Sequence, residues 1–242
     1  MQVGLIGKSL KHSFSKKYFS EKFDRLDLHG HRYTNFELSS IEDFPALLRE
    51  NPWLTGLNVT NPYKAAIIPY LDSLSAEAKQ VEAVNTIKVV GGKLLGFNTD
   101  IFGFTESIKP WLKLSCNKAL ILGTGGASNA IAFSLTQLGI NNTKVSRSPG
   151  SEQLNYDEAS SKLKDYDLLV NTTPLGTFPN VKEVPPLNMR LLNRNHLIYD
   201  LVYNPRKTAF LAEAESKGAI IKNGYEMLVL QAEKSWEIWN EV

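Results

Sequence analysis

Lys118 to Ile131 reads KALILGTGGASNAI, and this stretch decides the fold. A short apolar run, Ala119 to Leu122, stops at Gly123-Thr-Gly-Gly, and a helix-forming stretch of small and apolar residues follows, Ala127 to Leu138. Strand, glycine turn, helix is the layout that cradles a pyrophosphate. Glycine lets the backbone come close to the phosphates, while the helix N-terminus offers N–H groups and a partial positive charge. The pattern G-x-G-x-x-G is incomplete here: Gly123 and Gly125 fill the first two positions, and Ser128 stands in the third. A tight strand-to-helix turn without a ligand would use the same residues.

The next apolar segment, 142–146, ends at Arg147-Ser148. A dinucleotide unit that takes NAD places an acidic residue at this strand end, on the ribose hydroxyls. No Asp or Glu stands there. A guanidinium suits a 2′-phosphate, so the residues point to NADP rather than NAD.

Composition sets the frame around this unit. The chain has 242 residues, room for one large or two small domains. Its 27 basic and 25 acidic residues nearly balance, and no basic run suggests a nucleic-acid groove or an anionic membrane. A single cysteine, Cys116, rules out an intramolecular disulfide and fits a reducing compartment. Neither a spanning apolar stretch nor a signal peptide is read in the sequence, so a cytoplasmic protein is expected. The four histidines, His12, His29, His31 and His196, lack ligand spacing, and no metal is expected. His29 and His31, in a polar loop, read as solvated.

Ahead of the glycine turn, Val3 to Ile6 reads as a first strand ending in Gly7. Ser13 and Ser15 then open a helix expected over 16–26. Hydroxyls there cap a helix, or they hold a ligand carboxylate with help from the dipole. A strand is expected over 33–38, a helix over 41–50 and a strand over 54–60. That last strand runs into Asn58-Val-Thr-Asn-Pro-Tyr-Lys64. Pro62 fits a first helical turn, which sets Lys64 at a strand-to-helix junction, where active-site residues of open α/β sheets collect. A helix is expected over 72–84. A hairpin turning at Gly91-Gly92 follows and ends at Asn98-Thr-Asp100, and then a helix is expected over 101–114, bent or ended by Pro110.

Beyond the glycine turn, strands are expected over 167–171, 196–201 and 219–222, with a proline-rich loop over 178–187 and a helix over 206–216. Gly224 precedes a final helix over 225–239, on which Met227, Leu228 and Gln231 share a face. A glutamine on an apolar face needs a partner or a water-facing edge.

Taken in order, these stretches resemble the shikimate dehydrogenase family across nearly the whole chain. The matches are Gly7 with His12-Ser-Phe-Ser15, Asn58-Val-Thr-Asn-Pro-Tyr-Lys64, Ala83-Val-Asn-Thr86, Gly96-Phe-Asn-Thr-Asp-Ile-Phe-Gly103 and Gly123-Thr-Gly-Gly-Ala-Ser128. They continue with Asn171-Thr-Thr-Pro-Leu-Gly176, Asp200-Leu-Val-Tyr-Asn-Pro205, and Gly224-Tyr-Glu-Met-Leu228 with Gln231. The resemblance implies an α/β, two-domain fold: an N-terminal substrate domain over 1–101 and a Rossmann-type NADP domain over 102–224. The C-terminal helix, 225–242, would return to the first. It also implies NADPH-dependent reduction of 3-dehydroshikimate to shikimate, a step of aromatic amino acid biosynthesis.

By the same resemblance, Ser13 and Ser15 bind the substrate carboxylate, and Thr60, Asn85, Tyr203 and Gln231 hydrogen-bond the rest of the cyclohexene acid. Lys64 and Asp100 form the catalytic pair. Gly123, Thr124, Gly125, Gly126 and Ala127 hold the pyrophosphate, Arg147 reaches the 2′-phosphate, and Leu201, Gly224 and Met227 lie near the nicotinamide. The partner implied is a small molecule, with neither nucleic acid nor membrane, and the protein would be a monomer or homodimer. The chain departs from the family pattern at Ser9 and Lys16, where proline is usual, and at Ser146 and Ser151, the latter in place of a second basic residue. Two other readings stay open: a quinate/shikimate dehydrogenase using either nicotinamide cofactor, and a non-catalytic NADP-binding module.

Overall fold

Short apolar runs alternate with amphipathic stretches along the chain, and each run becomes a strand of one of two sheets. A computed structural model describes residues 1–10 and 13–241; His12, expected to lie beside the serines, falls outside them. Met1–Thr99 with Ala232–Val242 form one unit and Asp100–Gln231 the other.

In the first unit the order is β1 (Gln2–Gly7), α1 (Phe14–Arg25), β2 (Arg32–Glu37), α2 (Phe44–Glu50), β3 (Gly56–Val59) and α3 (Tyr63–Ala66). Then come β4 (Ser73–Leu74), α4 (Ala76–Val81), β5 (Thr86–Val90) and β6 (Lys93–Phe97). The sheet runs β2-β1-β3-β5-β6-β4. β1 pairs parallel with β2 and β3, whereas β5 runs antiparallel to β3 and to β6. β1 alternates as a strand buried on both faces should. Ile6 joins Phe44, Leu57, Ile67 and Ile87 on one side, and Val3 and Leu5 join Phe19, Phe23 and Tyr33 on the other.

The second unit begins with α5 (Asp100–Ile108), β7 (Lys118–Leu122), α6 (Gly126–Gln137), β8 (Asn141–Val145), β9 (Gln153–Leu154) and α7 (Tyr156–Ser161). It continues with β10 (Leu168–Asn171), β11 (Leu197–Asp200), α8 (Ala209–Ser216), β12 (Ile220–Asn223) and α9 (Tyr225–Asn240). Its sheet is parallel throughout, in the order β12-β11-β10-β7-β8-β9. Counted from β7 as the first strand, this is 3-2-1-4-5-6, the Rossmann order, with its switch point between β7 and β10. Leu120, Leu122, Leu169 and Ile198 pack on one face, and Ala119, Ile121, Leu168, Val170 and Tyr199 on the other.

The expected return of the C-terminal helix is observed in the last turns of α9. Ala232 and Trp239 join the Val3 and Phe19 cluster of the first unit. Trp239 Nε1 donates to the Ile87 carbonyl at 2.9 Å, and a Cβ at Gly56 would lie only 2.3 Å from that nitrogen. Gly56 is therefore the seat of the indole.

Two expected helices differ. Over 72–84, Ser73 and Leu74 pair with Leu95 and Gly96 of β6, and only α4 is helical. Ser75 caps it through Ala78 N at 3.1 Å, and it ends where Glu82 turns left-handed at φ 51°. A strand partner far along the chain has overridden local helix preference there. The helix expected over 101–114 stops at Ile108. A 3-10 turn, Lys109–Trp111, takes over, because Pro110 has no N–H to continue the ladder. No helix among the described residues is long and apolar enough to cross a membrane.

Candidate active site

β1 and β3 run parallel, so the residues that follow them emerge at one edge of the first sheet. β5 runs the opposite way, so the residue before it reaches the same edge. Backbone bonds fix the group: Thr60 N donates to Ile6 O at 2.9 Å, Val59 N to Asn85 O at 2.9 Å, and Val84 N to Lys64 O at 2.7 Å. Thr60, Lys64 and Asn85 are thus held at one edge of the first sheet. Gly7 makes room for this, since a Cβ there would meet the Thr60 methyl at 2.7 Å. Lys64 is half-buried on the single turn of α3, where Pro62 is the cap residue.

The two serines have different surroundings. Ser13 occupies the N-cap position of α1 with extended backbone, φ −64° and ψ 118°, yet its side chain caps nothing. Its Oγ is buried and has no partner among the described residues. A hydroxyl left unsatisfied in this way is costly unless something occupies it. Ser15 lies inside α1 and is hydrogen-bonded to the Tyr33 hydroxyl. Burial pushes that phenol well above its ordinary range.

Tyr33 opens a network that the sequence did not reveal. Its hydroxyl donates to Asn58 Oδ1 at 2.8 Å. Asn58 Nδ2 reaches Asn85 O at 3.1 Å, Thr86 Oγ1 at 3.2 Å and Ser235 Oγ at 3.0 Å. Thr86 and Ser235 share a bond of 2.7 Å, and Asn85 Oδ1 accepts from Thr99 N at 2.7 Å. Ser15 and Asn85, candidate ligand-binding residues 70 positions apart in sequence, are joined through buried polar groups. Asn58, Asn85, Thr86 and Thr99 each lie in a quoted motif, but nothing in the motifs showed that they meet. Ser235, on α9, carried no signal.

In the second unit, the glycine turn lies at the switch point. Gly123 follows β7 with φ 113°, a conformation that favours glycine, and a Cβ there would meet Thr172 Oγ1 at 2.7 Å. A Cβ on Gly125 would meet nothing within 4 Å. The backbone there faces open space, and among the described residues no side chain caps α6, which starts at Gly126. The residues Gly123 to Ala127 therefore fit a pyrophosphate. Ser128 Oγ, in the first turn, is fully buried and without a partner among the described residues. Arg147, just beyond β8, is exposed; burial raises the Tyr156 phenol, and the Arg147 charge partly offsets this.

Leu201 and Gly224 are brought into direct contact: a Cβ on Gly224 would fall 2.1 Å from the Leu201 carbonyl oxygen. Met227, one turn into α9, is buried with Leu201 packed against its cluster. Gly103 lets α5 meet α9, since a Cβ there would lie 2.7 Å from Met227 O and 3.0 Å from Gln231 Cβ. Gln231 Nε2 donates to Leu228 O at 2.8 Å. Asp100 is buried at the start of α5. Burial raises the Tyr203 phenol above its ordinary value. Nearby, Asp200 is fully buried at the end of β11 and accepts from Asn171 Nδ2 at 2.9 Å, Thr208 Oγ1 at 2.6 Å and Val202 N at 3.0 Å. Its burial outweighs these donors and pushes the carboxyl up to about 6.

Burial pushes the Cys116 thiol up to about 11, which leaves it a poor nucleophile. His196 is buried, its Nδ1 accepting from Asn193 N at 3.0 Å. His31, expected to be solvated, instead packs on Phe23 and Trp236, and burial lowers its pKa. No cluster of three or more metal-ligating side chains occurs among the described residues.

Comparison with known proteins bears on this geometry. Residues 5–87 match the family model described as the shikimate dehydrogenase substrate binding domain. Over 98% of its length the chain is 35% identical to the shikimate dehydrogenase (NADP(+)) of Clostridium botulinum, 95% of which is covered. The crystal structure of shikimate 5-dehydrogenase from Thermus thermophilus in complex with NADP(H) and shikimate superposes with a TM-score of 0.88 at 32% identity, over 100% of this chain and 94% of that one. The shikimate dehydrogenase of Aquifex aeolicus gives 0.89 at 30% identity, over 99% and 92%. With relatives of this identity covered almost end to end, the chain belongs to the shikimate dehydrogenase family.

Proposed function

We propose that the protein is an NADP-dependent shikimate dehydrogenase, which reduces the ring ketone of 3-dehydroshikimate reversibly to shikimate in aromatic amino acid biosynthesis. One observation of the structure supports it most: Thr60, Lys64 and Asn85 share a sheet edge in a chain that also carries an open, uncapped glycine cradle. NADPH, when bound, supplies the hydride. Gly123, Thr124, Gly125, Gly126 and Ala127 are the residues to hold its pyrophosphate, Arg147 its 2′-phosphate, and Leu201, Gly224 and Met227 its nicotinamide end.

The chemistry left to the protein is electrostatic and acid–base. As the ketone carbon gains a hydride, the carbonyl π pair moves onto oxygen, which becomes an alkoxide unless it is protonated. The Lys64 ammonium stabilises that charge and donates the proton. Asp100 orients Lys64 and accepts from the neighbouring ring hydroxyl. Ser13 and Ser15 take the carboxylate, and Thr60, Asn85, Tyr203 and Gln231 the remaining polar groups. The protein acts in the cytoplasm on a small molecule, as a monomer or homodimer.

The test is absorbance at the NADPH band, with shikimate added to purified protein and NADP. Growth of that band with shikimate supports the reading. Equal rates with quinate, or with NAD, would move it to a quinate/shikimate enzyme of dual cofactor use. Cofactor binding without turnover of either acid would leave a non-catalytic module.

A further inference from the structure

Lys144 is a cation placed where a helix dipole repels it. It lies on β8 opposite Ile121, one residue before the strand ends beside the glycine turn, where Gly123 N donates to Val145 O at 2.9 Å. Val145 packs into the core cluster on one face of the sheet. Asn142 and Lys144 turn to the other face, along α6. Asn142 Nδ2 bonds Thr136 Oγ1 at 3.1 Å near the C-terminal end of that helix. Lys144 Nζ donates to Asn129 Oδ1 at 2.6 Å in its first turn, the turn in which Asn129 N bonds Gly125 O.

The ammonium therefore sits at the positive end of α6, half-buried and held by a neutral amide. Among the described residues no carboxylate forms an ion pair with it. Burial lowers its pKa. A cation at a helix N-terminus is unfavourable by the dipole alone, and partial desolvation adds to the cost. An incoming anion would offset both costs, by pairing with the ammonium and by meeting the favourable end of the dipole. The adenosine 2′-phosphate carries up to two negative charges near neutral pH, and exposed Arg147, three residues on, supplies only one positive charge.

We propose that Lys144, held by Asn129, is the second cation that binds the 2′-phosphate of NADP and that it sets the preference over NAD. The inference rests on the reading of the second unit as the NADP-binding one. Two ammonium N–H groups are not used by Asn129, so a bond to a phosphate needs no loss of the Asn129 bond.

The probes are 2′,5′-ADP and 5′-AMP, which differ in the 2′-phosphate alone, titrated by calorimetry against the wild-type chain, Lys144→Met and Asn129→Asp. Lys144→Met should weaken 2′,5′-ADP about tenfold and 5′-AMP less than about twofold, the effect of removing one charge-assisted bond. Asn129→Asp keeps the lysine but gives it a carboxylate partner, and it places an acid in the first turn of α6, which favours folding. It should produce the same selective loss. Equal weakening of both probes in Lys144→Met overturns the proposal, as does unchanged 2′,5′-ADP affinity in either variant. Wild-type protein that binds neither 2′,5′-ADP nor NADPH would overturn the NADP reading itself, which separates the two failures.

Discussion

The Tyr33 hydroxyl and the Asn58 amide oxygen are joined at 2.8 Å in a buried bond whose direction is fixed. Asn58 uses its amide nitrogen on three oxygens, so its Oδ1 must accept and Tyr33 must donate. With its one proton spent, the Tyr33 oxygen can only accept from Ser15. Replacing Tyr33 by Phe leaves Asn58 Oδ1 buried without a donor, which costs about 1–3 kcal/mol. Thermal melting of Tyr33→Phe should fall accordingly, with the shikimate KM within about threefold of wild type. A tenfold rise in KM at unchanged melting temperature would give Tyr33 a direct binding role instead.

The same accounting separates the two serines. The Ser15 proton is committed to Tyr33, whereas Ser13 Oγ is buried with no partner among the described residues. A substrate carboxylate should draw its hydroxyl bond chiefly from Ser13. Ser13→Ala should raise the shikimate KM about tenfold, as expected for loss of a hydrogen bond to a charged group, and Ser15→Ala by less than half as much. Steady-state kinetics of the two variants decide it, and equal effects would mean that the Ser15 proton is free to rotate to the ligand.

Lys64 is the residue on which the proposed chemistry depends. Lys64→Ala should cut turnover by about 100-fold or more and leave NADPH affinity, read by fluorescence titration, nearly intact. Turnover close to wild type would remove Lys64 from the mechanism.

Asp200 predicts a pH effect of definite sign. Its native carboxyl is pushed up to about 6 from an ordinary 3.8, mainly by burial. The folded chain thus holds this proton more tightly than the unfolded one. Stability from this group is complete below about pH 4 and is lost as pH rises through 6. Two pH units correspond to about 3 kcal/mol, an order of magnitude for the loss. Asp200→Asn cannot titrate, so denaturant unfolding from pH 4 to 7 should show wild type losing stability relative to the variant, with parallel behaviour above pH 7. Parallel curves across the whole range would mean that the three hydrogen bonds to Asp200 offset its burial.

What was legible in the sequence was local. The turn at Gly123 shows because strand, glycine and helix are consecutive, whereas the Rossmann order appears only in the pairing of β7 with both β8 and β10. The choice between cap and ligand at Ser13 was not legible, because both uses need a hydroxyl at a helix start. Among the described residues the capping bond is not made, a fact visible only in three dimensions. The Tyr33, Asn58 and Ser235 network was invisible for a different reason: its members lie 25 and 177 positions apart, and each alone is an ordinary polar residue. The helix expected over 72–84 failed in the same way, since Ser73 and Leu74 take their conformation from Leu95 and Gly96.

Gly123 and Gly125 belong to one motif, but the structure assigns them separate duties that substitution can separate. Gly123 has φ 113° and the Thr172 hydroxyl 2.7 Å from where a Cβ would stand. Gly123→Ala therefore strains the backbone and crowds the end of β10, and it should cost about 1–3 kcal/mol of stability. Gly125 has φ −80°, which any residue adopts, and open space around its missing Cβ. Gly125→Ala should melt within the change of about 0.5 kcal/mol typical of surface substitutions. Yet its methyl would occupy the space that a pyrophosphate needs, so NADPH affinity should fall about tenfold or more. Thermal melts and NADPH titrations of the two variants test this. If Gly125→Ala bound NADPH as wild type does, the space before α6 would not be the phosphate cradle, and the cofactor would have to approach the sheet elsewhere.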